Sequence, residues 1–424
     1  MCRNIWHGTW QRFQCELDSG CYYHHRVQYN SREVCEQELT NWIMRRGEEL
    51  GFDAVGITAV VPMDPAPFRA WLEAGYAAEM GYLHRHLPLR ADLRAVLPGA
   101  HSVICVAVSY PGGTCPNWKS GRLTGWKPVP HVAHYARGAD YHDVVAVRLQ
   151  QLWHELQERH PDAAGRVFVD AGPLPERELA RRAGVGWVGK HGCLIHPRLG
   201  SRFVLGEILT TLELAPTSPL SGSCGKCRRC LDACPTGALL ASGVVDARRC
   251  LSYLTIEHKG PIPRELRTAV GTRLFGCDSC QDACPHNRHT YAGALMEPAA
   301  DLLAPDLCNL LEMTPAAFKA RFHGTPLARA KRRGVLRNAC VALGNAGEET
   351  AIPTLEHALC DAEPLVRGHA AWALGRLGGR ETLRAALEAE ADPQVREEIV
   401  LASNGVGESD TITPSPPYSQ TPIQ

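Results

Sequence analysis

The sequence predicts three units in chain order: an α/β (α+β) domain, a cysteine-rich module and an α-helical repeat. Apolar strand-like runs alternate with amphipathic helical patterns in the first half of the chain. Two closely spaced cysteine runs follow. The C-terminal part then repeats itself with a period of about 30 residues, a spacing typical of stacked helical units. These three observations define the fold class.

The N-terminal domain is assigned to residues 35–217. The segment "ELTNWIMRRGEELGFDAVGITAV" predicts an amphipathic helix, a stop at Gly51 and a short apolar strand. The runs "SVICVAVSY" and "GRVFVD" predict further strands, and "YHDVVAVRLQQLWHELQERH" predicts a helix between them. Residues 1–34 show no periodicity and are expected to form an irregular extension. The segment 111–129 is rich in Gly and Pro and predicts a surface loop.

Composition limits the functions open to the chain. Among 424 residues, 45 Lys and Arg balance 45 Asp and Glu, so any polyanion must bind to a local basic patch. Many of the 18 cysteines stand in ligand spacings, which favours a reducing compartment over a disulfide framework. The start has no apolar leader, and no run approaches the length of a membrane span. We therefore expect a cytoplasmic monomer without a membrane segment.

The stretch "CGKCRRCLDACPTGAL", residues 224–239, carries the strongest chemical signal. Its cysteines are spaced by two, two and three residues and are followed by Pro235, as in the bacterial ferredoxin run that binds 4Fe–4S clusters. Zinc ribbons separate two CxxC pairs more widely, and disulfides between such close thiols would be strained. The run therefore predicts an iron–sulfur cluster.

A second run, "CDSCQDACP", lacks one ligand. Leu274 stands where the first cysteine is expected, and Cys250 is the cysteine that lies between the runs. The thiols then number eight, enough for two 4Fe–4S clusters, and in such modules the fourth cysteine of each run binds the other cluster. One predicted cluster has the ligands Cys224, Cys227, Cys230 and Cys284, and the other has Cys234, Cys250, Cys277 and Cys280. The alternative is a single cluster with spare thiols. The module is assigned to residues 218–295, and the segment "TSPLSGS" is the linker that leads into it.

The helical repeat is assigned to residues 296–403. "VLRNACVALGNAGEETAIPTLEHAL" and "LVRGHAAWALGRLGGRETLRAALEAE" align, and each predicts two helices around a Gly-rich turn. This pattern predicts a short HEAT-like solenoid, whose units bury their apolar faces on one another. Residues 404–424 are polar and rich in Pro, which predicts a disordered tail.

The segment "GVGWVGKH", residues 184–191, contains two nucleotide-binding patterns. Both G-x-G-x-x-G and the P-loop require a strand before the glycines and a helix after them. Here a helical pattern precedes Gly184, and His191 replaces the P-loop hydroxyl. A nucleotide site is therefore disfavoured, and a Gly-rich loop that gives some other cofactor access to the backbone is preferred.

Several long motifs, in order, resemble the epoxyqueuosine reductase family. They are "HYARGADYH", "VDAGPLPERELARRAGVGWVGKHGCLI", "GSRFVLGEI", "DARRCLSYLTIEHKG" and "LARAKRRGVLRNA", together with both cysteine runs. The resemblance covers about residues 36–385. Two departures are the loop at 111–129, longer than the family needs, and His191, where the family usually has Asn.

The resemblance implies a cobalamin held between the N-terminal domain and the cluster module. Its cobalt would be reduced through the clusters by an external one-electron donor. The implied substrate is the epoxycyclopentane-bearing base at the wobble position of a tRNA anticodon stem-loop. Because the epoxide oxygen must leave as water, a general acid is required, and Asp170 is the matching residue. A carboxylate that only caps the helix after Pro175 is the alternative.

The resemblance also implies site residues by their position in the family's motifs. The cobalamin-contacting residues would be His142, Asp170, Leu194, Leu205, Ser252, Glu257 and Asp278. His142 belongs to an Asp-x-His-x-x-Gly pattern in which Val145 replaces the glycine, so it would contact the corrinoid without ligating cobalt; a core histidine is the alternative. The tRNA contacts would be Lys259, Lys331, Arg332 and Arg333, the last three within a basic run at 319–340 that has no acidic residue.

The sequence leaves two other hypotheses for the function open. One is a different corrinoid iron–sulfur reductase, similar to reductive dehalogenases. Those enzymes usually carry a twin-arginine export signal and no helical repeat. The other is an electron-transfer ferredoxin fused to a solenoid scaffold, which leaves the N-terminal domain without a role.

Overall fold

The structure, a computed structural model, describes residues 31–112, 130–288 and 293–405. Residues 1–30 of the predicted extension 1–34, most of the predicted loop 111–129 and nearly all of the predicted tail 404–424 lie outside these ranges. The first helix begins at Ser31, slightly before the predicted domain start at residue 35. None of the helices in the described ranges is long and apolar enough to cross a bilayer.

The N-terminal unit is built on an antiparallel sheet, which makes it α+β. Its strands and helices are β1 (Ala54–Ala59), β2 (Ser102–Ser109), β3 (His131–Val132), β4 (Gly165–Phe168), β5 (Trp187–Val188), β6 (Leu194–Ile195), β7 (Phe203–Thr210), α1 (Ser31–Glu49), α2 (Ala66–Glu73), α3 (Tyr82–Ala91), α4 (Tyr141–Arg159) and α5 (Glu176–Arg182). The main sheet has the order β1-β2-β7-β4, and all its pairs are antiparallel. The strand and helix runs named from the sequence are found here.

Helices cover both faces of this sheet. On one face α4 packs Val145 and Leu149 against Ile208 of β7. On the other face α5 packs Leu179 against a core that contains Cys105 of β2. Every residue of β2 is buried for this reason, and its sequence is almost continuously apolar.

The cluster module contains short elements around its cysteine runs. They are α6 (Arg229–Asp232), α7 (Leu251–Ile256), α8 (Arg264–Val270), α9 (Ser279–Asp282), β8 (Leu239–Ala241), β9 (Val244–Val245) and β10 (Arg273–Phe275). Strand β10 pairs in parallel with β3 and joins the module to the N-terminal unit. Polar contacts strengthen this junction: Arg202 lies 2.6 Å from Asp282, and Asn287 accepts a 2.7 Å hydrogen bond from the backbone of Ser201.

The C-terminal unit is entirely helical. It comprises α10 (Ala300–Leu303), α11 (Leu307–Leu311), α12 (Pro315–Phe322), α13 (Lys331–Ala346), α14 (Ile352–Ala358), α15 (Pro364–Leu377), α16 (Arg380–Ala389) and α17 (Pro393–Ser403). Helices α13 and α15 end at Gly347 and Gly378, each in the left-handed conformation that glycine adopts without strain. The predicted helix–turn–helix repeat is present, and its core is continuous with that of the cluster module.

Candidate active site and cluster module

Asp170 lies in the loop between β4 and α5, beside the first turn of α4. Its backbone has φ 48°, a left-handed conformation that is strained for a residue other than glycine. The Tyr141 hydroxyl donates a 2.5 Å hydrogen bond to its Oδ2. The Asp170 side chain remains 62% exposed. The loop thus holds a carboxylate in one orientation while leaving it open to a ligand.

His142 stands next to Asp170, the other residue for which the resemblance implies a cobalamin contact. Its Nε2 is 4.0 Å from Oδ2 of Asp170, and its Nδ1 is 2.7 Å from Oδ1 of Asp140. The hydrogen bond to Asp140 raises the pKa of His142, and partial burial opposes the shift. The imidazole stacks on the ring of Tyr141 with centroids 4.1 Å apart. His142 is therefore oriented with its free nitrogen toward Asp170.

A cavity of about 740 Å³ opens beside Asp170. Its wall combines apolar side chains such as Phe68 with polar ones that sequence reasoning did not single out, among them Tyr82, Arg90 and Glu176. Arg90 is held over the ring of Phe68 and donates a 2.8 Å hydrogen bond to a backbone carbonyl. This volume is typical of a site for a sizeable organic ligand.

The other residues expected at a corrinoid are less accessible than Asp170 and His142. Leu194 and Asp278 are each 3% exposed. The Asp278 carboxylate is occupied by His131 and His134, at 3.1 and 2.7 Å. Because both imidazoles bind it, Asp278 is placed to fix the junction of the two units, and little of it is free for a ligand.

Glu257, Ser252 and Leu205 keep partial exposure. Glu257 forms a bidentate ion pair with Arg329: Nε and Nη2 of the arginine lie 2.8 and 3.0 Å from the two carboxylate oxygens. Arg329 influences both His142 and Tyr82 electrostatically, so this pair brings the start of the helical unit to the site. The signal for Arg329 was present in the basic run, although its partner could not be read from sequence.

The eight predicted ligand thiols fall into two spatial groups. Burial raises the pKa of Cys284, and its sulfur neighbours Cys224 and Cys227 add to the shift. Cys230 likewise neighbours Cys224 and Cys284. This proximity supports the first predicted ligand set, which remains a prediction.

The second group shows the same pattern. Burial raises the pKa of Cys250 to about 11, with further contributions from Cys277 and Cys234. Cys280 neighbours Cys277 and Cys250, and also Cys193, which the sequence analysis left outside the ligands. Within the described ranges no three His, Cys, Asp or Glu side chains converge on the position of a single ion. A cubane spreads its four thiolates around several iron atoms, so wider spacing suits it.

Unpartnered donors around the first thiol group also fit a cluster. Trp187 packs against Cys284 and Cys224, and its indole Nε1 is buried without a partner among the described residues. The same is true of Nε2 of His191. The Lys190 backbone N–H lies 3.4 Å from the Cys224 sulfur. Iron–sulfur clusters accept hydrogen bonds of this kind at their sulfurs, which tune their potentials.

Family models match all three units of the chain. They are described as "Epoxyqueuosine reductase QueG, DUF1730" over residues 90–171, "4Fe-4S double cluster binding domain" over 223–287 and "HEAT repeats" over 326–411. The epoxyqueuosine reductase of Alicycliphilus denitrificans is 40% identical over 364 residues, covering 81% of this chain and 99% of the relative. The chain belongs to the epoxyqueuosine reductase family. The Escherichia coli epoxyqueuosine reductase is 39% identical over 348 residues, covering 80% of this chain and 89% of the relative.

Solved epoxyqueuosine reductases have the same fold. One, in a crystal with a tRNA-Tyr epoxyqueuosine-modified stem loop, has TM-score 0.81 and 33% identity and covers 87% of this chain and 98% of its own. The Bacillus subtilis enzyme has TM-score 0.80 and 32% identity with the same coverage, and it was captured with an aspartate-bearing catalytic loop swung out of the active site. The predicted family, enzyme class, double-cluster module and HEAT-like repeat are therefore confirmed.

Proposed function

We propose that this protein reduces the epoxide of epoxyqueuosine to the alkene of queuosine at the wobble position of tRNA. The observation that carries the proposal is Asp170, exposed beside a large cavity and held by Tyr141, in a chain of the epoxyqueuosine reductase family. The reaction takes two electrons and two protons. Both C–O bonds of the epoxide break, a carbon–carbon double bond forms, and the oxygen leaves as water.

Asp170 would donate a proton to the epoxide oxygen. An alkoxide is a poor leaving group, so protonation at this atom lowers the barrier to breaking the C–O bond. The Tyr141 hydroxyl and the constrained loop backbone would hold the carboxyl group at the cavity. The Bacillus subtilis enzyme, seen with an aspartate-bearing catalytic loop swung out of its active site, supports an acid that is carried on a loop.

The cavity of about 740 Å³ beside Asp170 would receive part of a large cofactor such as cobalamin. Asp170 lines this cavity, and His142, whose Nε2 is 4.0 Å from Oδ2 of Asp170, would offer a second polar contact beside it. When bound, cobalamin would supply low-valent cobalt chemistry to the epoxide carbon. His142, held by Asp140, would contact the cofactor, with Ser252, Leu205 and Glu257 at its border.

The two thiol groups would hold the 4Fe–4S clusters that carry electrons from an external one-electron donor toward the cavity. Junction contacts such as Tyr110 to Gln281, at 3.3 Å, would keep the cluster module fixed against the sheet. A fixed distance suits electron transfer between neighbouring centres.

The tRNA would bind across the start of the helical unit. Lys259 and Lys331 are exposed there, and Arg333 is partly exposed. Arg332 differs from the expectation for a phosphate contact, because its guanidinium lies 2.6 Å from Asp361 and is largely buried. The phosphate-contact proposal therefore rests on Lys331, Arg333 and Lys259.

An anaerobic assay tests the proposed reaction. Purified protein with added cobalamin and a low-potential reductant is incubated with an epoxyqueuosine-containing anticodon stem-loop, and its nucleosides are resolved by mass spectrometry. The proposal predicts loss of one oxygen atom from the modified nucleoside. An unchanged nucleoside, with clusters and cobalamin bound, contradicts it.

A further inference from the structure

Glu207 is the most anomalous side chain of the central sheet. It lies on β7 between Cys105 of β2 and Phe168 of β4 and is fully buried. Both its carboxylate oxygens lack a hydrogen-bond partner among the described residues. Burial raises the pKa of Glu207 well above its ordinary value, and Glu176 and Asp170 add to the shift. An ionised carboxylate is costly in such surroundings, so this side chain is held as a neutral acid.

Glu176 lines the cavity and acts electrostatically on the buried Glu207. It is the first residue of α5 and forms part of the cavity wall next to Asp170. Burial raises the pKa of Glu176 to about 8, and the charge of Asp170 adds to the shift. The Asp170 backbone N–H, Arg90 and Arg177 oppose it. Glu176 therefore carries a proton at neutral pH and begins to lose it in the mildly alkaline range.

The other titratable neighbours of the pair are two neutral groups and two arginines. Cys105 on β2 and Tyr141 on α4 are neutral groups whose pKa values are raised mainly by burial, with smaller contributions from these carboxylates. Arg90 on α3 and Arg177 on α5 are the two cations that act on Glu176. Both arginines line the cavity together with Glu176, whereas Glu207 is fully buried.

The proton balance of the proposed reaction gives this pair a role. Each turnover consumes two protons, whereas a single carboxyl group can give only one proton before it must be protonated again. We propose that Glu176 and Glu207 form a buried pair of carboxylic acids that returns protons to Asp170 during turnover. Asp170 protonates the epoxide oxygen and then takes a proton from Glu176. It gives this second proton to the same oxygen, which leaves as water. The external donor supplies both electrons. This inference rests on the proposed function, and it makes Glu176 and Glu207 positioning residues that act through Asp170.

The first test compares Glu176→Gln and Glu207→Gln, which keep the shape of each side chain and remove its acid. Single-turnover rates of the cluster- and cobalamin-loaded enzyme are measured from about pH 6 to about pH 9, a range that includes the pKa of about 8 of Glu176. In the wild type the rate falls as pH rises through about 8, because Glu176 loses its proton there. Glu176→Gln is expected to be about tenfold slower and to lose this alkaline limb, a smaller loss than removal of a direct general acid. Glu207→Gln is expected to slow turnover while keeping the limb.

Glu158→Gln is the matched control, since Glu158 is 67% exposed on the outer surface of α4. Its rate and pH profile should equal those of the wild type. If Glu176→Gln and Glu207→Gln both keep the wild-type rate and pH profile, the inference is overturned.

A second measurement does not depend on turnover or on the stability of the variants. Infrared spectroscopy of the wild-type holoenzyme should show protonated carboxyl absorption at pH 7, part of which disappears as pH rises through about 8. Absence of that absorption overturns the inference even if the variants fail to fold. A wild-type enzyme that shows it but leaves epoxyqueuosine intact contradicts the proposed function instead, so the two failures are distinguishable.

Discussion

The hydroxyl of Tyr141 and Oδ2 of Asp170 are joined by a 2.5 Å hydrogen bond. The contact links the first turn of α4 to the loop after β4, two segments 29 residues apart in sequence. It holds the carboxyl group in place where the backbone alone is strained. The orientation of the Asp170 carboxyl group, the proposed acid, therefore depends on the hydroxyl of Tyr141.

Tyr141→Phe should slow turnover by about 10- to 100-fold, because a hydrogen bond to a charged group contributes about 1.5–3 kcal/mol. Folding, iron content and cobalamin binding should stay unchanged. Tyr135→Phe serves as the control, since that ring packs edge-to-face on Tyr141, with centroids 5.7 Å apart. Equal single-turnover rates for Tyr141→Phe and wild type would show that the loop holds Asp170 without the phenol.

Cys250→Ala should remove one of the two clusters. Leu274, at the position where the second run lacks its first cysteine, is buried in the hydrophobic core and offers no ligand. Cys250 lies near Cys277 and Cys234 of the second thiol group. Iron content should fall from about eight to about four atoms per chain, with one cluster signal left in the electron paramagnetic resonance spectrum. Cys360→Ala, an exposed thiol outside both groups, should keep all the iron. Full iron in the Cys250 variant would refute the ligand assignment.

Lys331→Ala combined with Arg333→Ala should weaken tRNA binding and flatten its salt dependence. Each lost phosphate contact lowers the slope of log K against log salt by about 0.7–0.9. The matched control is Arg384→Ala, an exposed arginine on α16. Binding isotherms at several salt concentrations measure this slope. A slope identical to that of the wild type would show that Lys331 and Arg333 are solvated surface residues that do not contact phosphates.

Arg337→Ala should lower stability without a direct effect on the salt slope. Arg337 belongs to the same basic run, yet it is fully buried and donates to the carbonyls of Leu254, His258 and Gly260. Because one buried and two partly buried carbonyls lose a donor, the free energy of unfolding should fall by about 3 kcal/mol. Thermal unfolding compared with Arg333→Ala checks this, and an unchanged transition temperature would contradict it.

The cysteine runs and the helical repeat could be predicted because each depends on local spacing. Seven of the eight predicted ligand thiols stand at ligand spacing within two runs, and the Gly-rich turns of the repeat stop their helices locally. The partners of the basic run could not be predicted. Arg329, Arg332 and Arg337 look alike in sequence, but one pairs with Glu257, one with Asp361, and one is buried among carbonyls.

The acids behind Asp170 were also missed, although a signal existed. Glu207 is a charged residue within the apolar run "FVLGEILT", which is unusual for a central strand. The role proposed for Glu207 depends on α5, because this helix brings Glu176 to the same face of the sheet. That relationship is tertiary and has no counterpart in local sequence.

The central claim is that Asp170 delivers the proton that lets the epoxide oxygen leave. Its most direct test is the single-turnover rate of Asp170→Asn on epoxyqueuosine-containing stem-loop, measured with clusters and cobalamin bound to the same extent as in the wild type. The account predicts normal cofactor binding and a rate lower by about 10²- to 10⁴-fold. A wild-type rate in this variant would contradict it and assign the proton to water or to another group.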